Sequence, residues 1–254
     1  MNELAAIPDL YGETLHWATA RDGFESVLTI FNYLGWAFPG YPPERTDADV
    51  SLRFFAEEGR ELESYSAVLG TGQALHLPVG KIHRDFRGVV ATRMMPRGGM
   101  ARRSATPQRP GRPIATSYFM LYEREGGFCD FSHELFLMRN KPEKTVSEWA
   151  TVLFSGAGLD LAVVAMNNCA AITGAEGQSD ATLRLSALDG APLSDDYRFS
   201  LSPMGSLLIR IRDVFQEFSD SGFGPVTATL SGANIEQPLS LHLHGSGDFN
   251  IHHF

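Results

Sequence analysis

The chain has 254 residues, 43% of them apolar and 20% charged, with a formal net charge of −9 at neutral pH and a mean hydropathy of −0.11. This composition fits a globular chain long enough for two ordinary domains and excludes a disordered or collagen-like polymer. It also argues against general nucleic-acid binding, which needs many basic contacts to phosphate, and no apolar run reaches the ~18 residues of a membrane span.

Residues 1–13 read as an N-terminal arm. They carry neither a basic n-region nor a long apolar stretch, so a secretory leader is not expected. From residue 14 the dominant signal is period two, as in Val50-Ser51-Leu52-Arg53-Phe54, which marks strands with one buried face. An aromatic loop with Trp36, Phe38 and Tyr41 precedes that strand, and Glu57-Glu58-Gly59-Arg60 follows it as a turn. Lys81–Phe86 carries a brief helical signal. A long loop then runs from Arg93 to Ile114, rich in arginine (Arg97, Arg102, Arg103) and proline. Loops of this length inside a compact domain are commonly functional.

Residues 139–145 form a polar, proline-bearing linker. Beyond it the pattern returns. Thr182-Leu183-Arg184-Leu185-Ser186 alternates, Asp189-Gly190 supplies a hairpin signal, Asp213–Phe218 is briefly helical, and Leu239–His244 alternates strictly. Ser51–Leu62 and Thr182–Leu193 share five of twelve residues, where chance gives about one. Trp17-Ala18-Thr19 echoes Trp149-Ala150-Thr151, Asn32 echoes Asn167, and His133 echoes His253. The expected fold is all-β: two tandem, jelly-roll-like β-sandwich domains related by internal duplication, at 14–138 and 146–254, with seven or eight strands each.

Cys129 and Cys169 fall at non-equivalent places in the two copies, so reduced thiols and a cytoplasmic location are expected. His133 and His253, present in both copies, read as structural imidazoles, and Asn32 and Asn167 as loop-fixing Asx turns. His242 and His244 share one strand face, and His252 on the returning strand is placed to join them. Three imidazoles on adjacent strands make a candidate site for zinc, copper or iron. No nucleophile elbow or phosphate-cradling glycine loop is present.

The expected function is therefore a non-catalytic binding or assembly module. It would take an acidic protein segment, a polysaccharide or a small anion on first-copy loops, through Arg97, Arg102, Arg103, Trp36, Phe38 and Tyr41. The alternatives are a metal-dependent enzyme using the C-terminal histidines, and a structural subunit whose exposed edge strand joins copies into a homo-oligomer or larger array.

Overall fold

The computed structural model describes residues 13–37, 46–97, 118–124, 130–132, 136–137, 145–153, 159–170, 177–215, 224–244 and 249–254. Within them the chain is all-β. The first strands are β1 (Thr14–Thr19), β2 (Phe24–Phe31), β3 (Ala48–Ala56), β4 (Tyr65–Leu69), β5 (Ala74–Pro78), β6 (Arg87–Pro96), β7 (Tyr118–Arg124), β8 (Asp130–Ser132) and β9 (Phe136–Leu137). They continue as β10 (Val146–Leu153), β11 (Leu159–Met166), β12 (Ser179–Ser186), β13 (Tyr197–Leu201), β14 (Ser206–Arg210), β15 (Val226–Ala233), β16 (Leu239–His244) and β17 (Phe249–His253). The helical elements described along their length are single turns, α1 (Leu34–Ala37), α2 (Ile211–Val214) and a 3-10 turn at Val79–Lys81.

The strands make four antiparallel sheets. Sheet I has the order β4-β3-β6-β1-β9 and sheet II β5-β2-β7-β8. Sheet III runs β10-β15-β12-β13 and sheet IV β14-β11-β16-β17. Adding nine to each strand number turns the first four strands of sheet I into sheet III, and sheet II into sheet IV. β9 alone has no such counterpart among the described residues.

Local chemistry follows the same parallel. In the turn after β3, Gly59 N–H donates to Ala56 O at 2.8 Å, and Ala56 N–H to Arg60 O at 3.0 Å. After β12, Gly190 N–H donates to Ala187 O at 2.9 Å, and Ala187 N–H to Ala191 O at 2.8 Å. Both glycines hold a left-handed φ, +83° and +89°, which a Cβ disfavours. Arg53 forks onto Glu61 with two bonds of 2.8 Å, and Arg184 onto Asp196 with bonds of 2.9 and 3.0 Å.

The register corrects part of the sequence comparison. Arg53 stands opposite Ala91, and two residues along β6 Val89 stands opposite Trp17. Arg184 stands opposite Thr229, and two residues along β15 Thr227 stands opposite Val152. Trp17 thus occupies the place of Val152. Trp149, opposite Leu230, matches Thr14, so the Trp-Ala-Thr echo is out of step in the fold.

Two apolar cores organise the chain. One lies between sheets III and IV, built on Leu183, Leu185, Ala228 and Leu230 from the former and Leu161, Val163 and Ile209 from the latter. The alternation in β12 and β15 delivers these side chains inward. The larger core holds the strands of sheets I and II. It also takes Ala162, Val164, Leu239, Leu241, Phe249 and Ile251 from the other face of sheet IV. Sheet IV is therefore apolar on both faces, and the halves share a core rather than standing as beads on a string. Two polar contacts reinforce this junction: Ser206 N–H donates to Glu57 O at 2.9 Å, and Ile251 N–H to Asp130 Oδ2 at 2.7 Å. No helix among the described residues is long and apolar enough to cross a membrane.

Candidate functional site

The C-terminal hairpin sets the site. On β16, alternation sends Leu239 and Leu241 into the larger core and turns Ser240, His242 and His244 toward sheet III. His242 lies opposite Asn250 on β17, and Ser240 opposite His252. These side chains, with Leu159 from β11 and Thr151 and Val152 from β10, line a groove of about 280 Å³. The His242 and His252 rings meet edge to face with centroids 5.2 Å apart. Asn250 Nδ2 lies 3.5 Å from His244 Nε2, and the Ser240 hydroxyl donates to His252 O at 3.3 Å.

The three histidines singled out from the sequence therefore do line one place. Its setting differs from the solvated outer face that alternation implies: His242 is only 9% exposed. Burial holds its imidazole below the ordinary histidine range, and His252 and then His244 press the same way. Near neutral pH His242 is thus uncharged, and none of the lining residues is an acid, lysine or arginine. Among the described residues no group of three or more His, Cys, Asp or Glu side chains has the arrangement of a metal site.

Comparison of the two halves explains why the groove is open. With Asn32 placed on Asn167, Tyr122 (opposite Ser26) takes the position of His242 (opposite Leu161). Its OH spans the gap between sheets II and I and donates to Trp17 O at 2.8 Å, and the two rings stack at 6.0 Å. Both side chains are buried. In the second half the bridging phenol is an imidazole and the indole is Val152, so two large aromatics are replaced by shorter side chains. Both of these shorter side chains line the groove.

Asn32 and Asn167 are fully buried and make matching contacts. Asn32 Oδ1 accepts from Leu34 N–H, while Nδ2 donates to Thr46 O and Leu69 O. Asn167 Oδ1 accepts from Cys169 N–H, and Nδ2 donates to Gly177 O and Leu201 O. Each amide fastens the chain leaving one sheet to the strand entering the next. Cys169 is buried and forms no disulfide.

Of the arginines and aromatics expected to bind a ligand, Arg97 alone has a described side chain. Arg97 pairs with Asp49 at 3.1 Å, with both side chains more than half exposed. Arg102, Arg103, Phe38, Tyr41, His133 and Cys129 lie outside the described residues, as do the side chains of Trp36 in α1 and His253 in β17. A wider cleft of about 460 Å³ lies at the β1–β2 turn, between Arg21, Asp22, Asp85, Glu123 and Arg124. Two of its charges pair with residues outside the lining: Asp22 with Arg87 at 3.5 Å and Arg21 with Glu57 at 3.5 Å.

Sequence reasoning missed Thr151, Val152 and Asn250. The available signal is the exchange of Tyr122 for His242, which no short sequence echo reveals because it depends on strand register.

No protein-family model matches the chain, and no curated protein matches it. Among solved structures it is similar to the exo-chitosanase CsxA of Amycolatopsis orientalis, at 10% identity and a TM-score of 0.18, covering 94% of this chain and 26% of that one. The T13 particle of infectious bursal disease virus gives 9% identity and a TM-score of 0.18, covering 94% of this chain and 57% of that one. The chain spans less than two thirds of either, and likeness at this level carries no argument about fold or activity.

Proposed function

We propose that this chain is a binding module whose ligand occupies the groove between β10 and the β16–β17 hairpin. The observation that carries the reading is that Val152 and His242 stand where the first half has the Trp17–Tyr122 closure, beside a polar groove lined by no carboxylate, lysine or arginine. Hydroxyl, amide and neutral imidazole groups suit a ligand that is itself uncharged and hydrogen-bonding, such as a peptide backbone or a neutral glycan. A small anion fits this groove poorly. The underlying architecture we read as a duplicated β-sandwich, sheets I and II forming one copy and sheets III and IV the other. Supporting this are the nine-strand offset, the paired turn geometries and the paired asparagines.

The test is a ligand screen read on the imidazole proton resonances of His242, His244 and His252, beside a His242→Tyr variant that refills the groove. Ligand-dependent shifts in the parent that vanish in the variant support the proposal. A ligand bound equally well by both proteins places the site elsewhere.

A second reading is a metal-dependent role through His242, His244 and His252. It is favoured by the shared groove and by the 5.2 Å approach of two imidazoles. About one zinc, copper or iron per chain in untagged protein, lost on His242→Ala/His244→Ala substitution, selects it.

A further inference from the structure

Resting on the groove as the binding site, we infer that the partner is an extended protein segment that adds to the open edge of β10 as an antiparallel strand. β10 is an end strand of sheet III: β15 pairs along one side over all eight residues, and no described strand pairs along the other. The matching strand in sheet I, β1, does not keep that edge open. β9 lies on it antiparallel, with Leu137 opposite Thr14 and Phe136 opposite Leu15. The chain thus displays how this edge is covered when it is covered: by a short apolar strand.

Transferred through the register, those two positions correspond to Trp149 and Ala150. The residue after Ala150 is Thr151, which lines the groove. Residues directly opposite on antiparallel strands share a face, so an added strand pairing past Ala150 sends the side chain opposite Thr151 into the histidine groove. Its neighbours lie over the outer face of β10. That face is open: Val146 is 62% and Val152 51% exposed, with exposed Glu148 and Ala150 between them, so it is apolar apart from one carboxylate. Edge strands that must stay single are usually blunted by charged side chains, above all lysine, by proline or by a bulge; β10 has no lysine or proline, and Glu148 is its one charge. Main-chain hydrogen bonds to β10 would supply affinity, and the groove would select one side chain.

The probe is a synthetic peptide with the sequence of residues 133–140, which contains β9, added to the full isotope-labelled chain. Amide hydrogen exchange across 146–153 and the imidazole resonances of His242 and His252 are followed together. The expected result is protection of β10 amides with concurrent imidazole shifts. Ala150→Lys and Val146→Lys, both at exposed positions outside the groove lining, should each weaken binding by about tenfold or more, while Val68→Lys on β4, another edge strand, leaves it unchanged. Equal binding by the β10 lysine variants overturns the inference, as does failure of the peptide to protect β10. Protection of β10 without imidazole shifts supports strand addition and removes the groove reading. Imidazole shifts with a neutral oligosaccharide, and no protection of β10 by peptide, keep the groove and overturn the strand.

Discussion

The Tyr122 hydroxyl donates to the Trp17 carbonyl oxygen at 2.8 Å, tying β7 of sheet II to β1 of sheet I at a point where both residues are buried. Burial, and the nearby Asp130 carboxylate, push the phenol well above its ordinary range, so it remains a protonated donor throughout the stable pH range. Tyr122→Phe keeps the ring and removes only the bond. The carbonyl left without its donor should cost about 1–2 kcal/mol, read as a lower urea midpoint with the slope unchanged. An unchanged midpoint would mean that this bridge does not hold the sheets together.

The buried asparagines should be costlier. Asn32→Ala removes three hydrogen-bonding contacts, among them the amide donor to the Thr46 and Leu69 carbonyls in the interior. A loss of about 2–4 kcal/mol is expected. Asn167→Ala should behave alike, through Gly177 and Leu201. Chemical denaturation of both variants checks the pair. A large loss in one and none in the other would show that the two networks are not equivalent.

His242 makes stability depend on pH with a definite sign. Its folded imidazole titrates below the ordinary 6.5, chiefly through burial, while the unfolded chain titrates at the ordinary value. The stabilisation from keeping it neutral is therefore complete above the unfolded value and is lost as pH falls through the folded one. Thermal midpoints measured between about pH 7 and pH 5 should drop more steeply for the parent than for His242→Gln. Identical slopes would place the acid sensitivity in other groups.

Gly59 and Gly190 share a turn and a left-handed φ but not their surroundings. A Cβ on Gly59 would lie 2.2 Å from Pro203 O, in the loop between β13 and β14, whereas nothing lies within 4 Å of one on Gly190. Gly190→Ala should cost about 1–2 kcal/mol from backbone strain alone. Gly59→Ala carries that strain plus the displacement of the Pro203 loop, so its cost should exceed the other by at least ~1 kcal/mol. Equal costs in calorimetry would argue that this contact between the halves yields freely.

Much of the local structure was legible in the sequence. Period-two alternation marked β3, β12 and β16, the Gly59 and Gly190 turns fell where glycine was needed, and alternation put His242 and His244 on the same side of one strand. The helical signal at Lys81–Phe86 gives way to a single 3-10 turn at Val79–Lys81, since so few residues cannot repay helix nucleation, and the one at Asp213–Phe218 overlaps the turn α2, its last three residues lying outside the described ones. The single turn α1 lay inside what reads as an aromatic loop.

What the sequence determined by itself was the kind of element at each position, because strand alternation and turn chemistry depend on neighbours a few residues apart. Which strands face one another was decided only by the tertiary structure. A shift of one residue in register exchanges the faces of a strand, and a short echo such as Trp-Ala-Thr cannot fix it. That is why Trp17 proved to match Val152, why sheet IV acquired two buried faces, and why His242 came to border a groove instead of open solvent. Its environment is made by residues from β10, some ninety positions away in the chain.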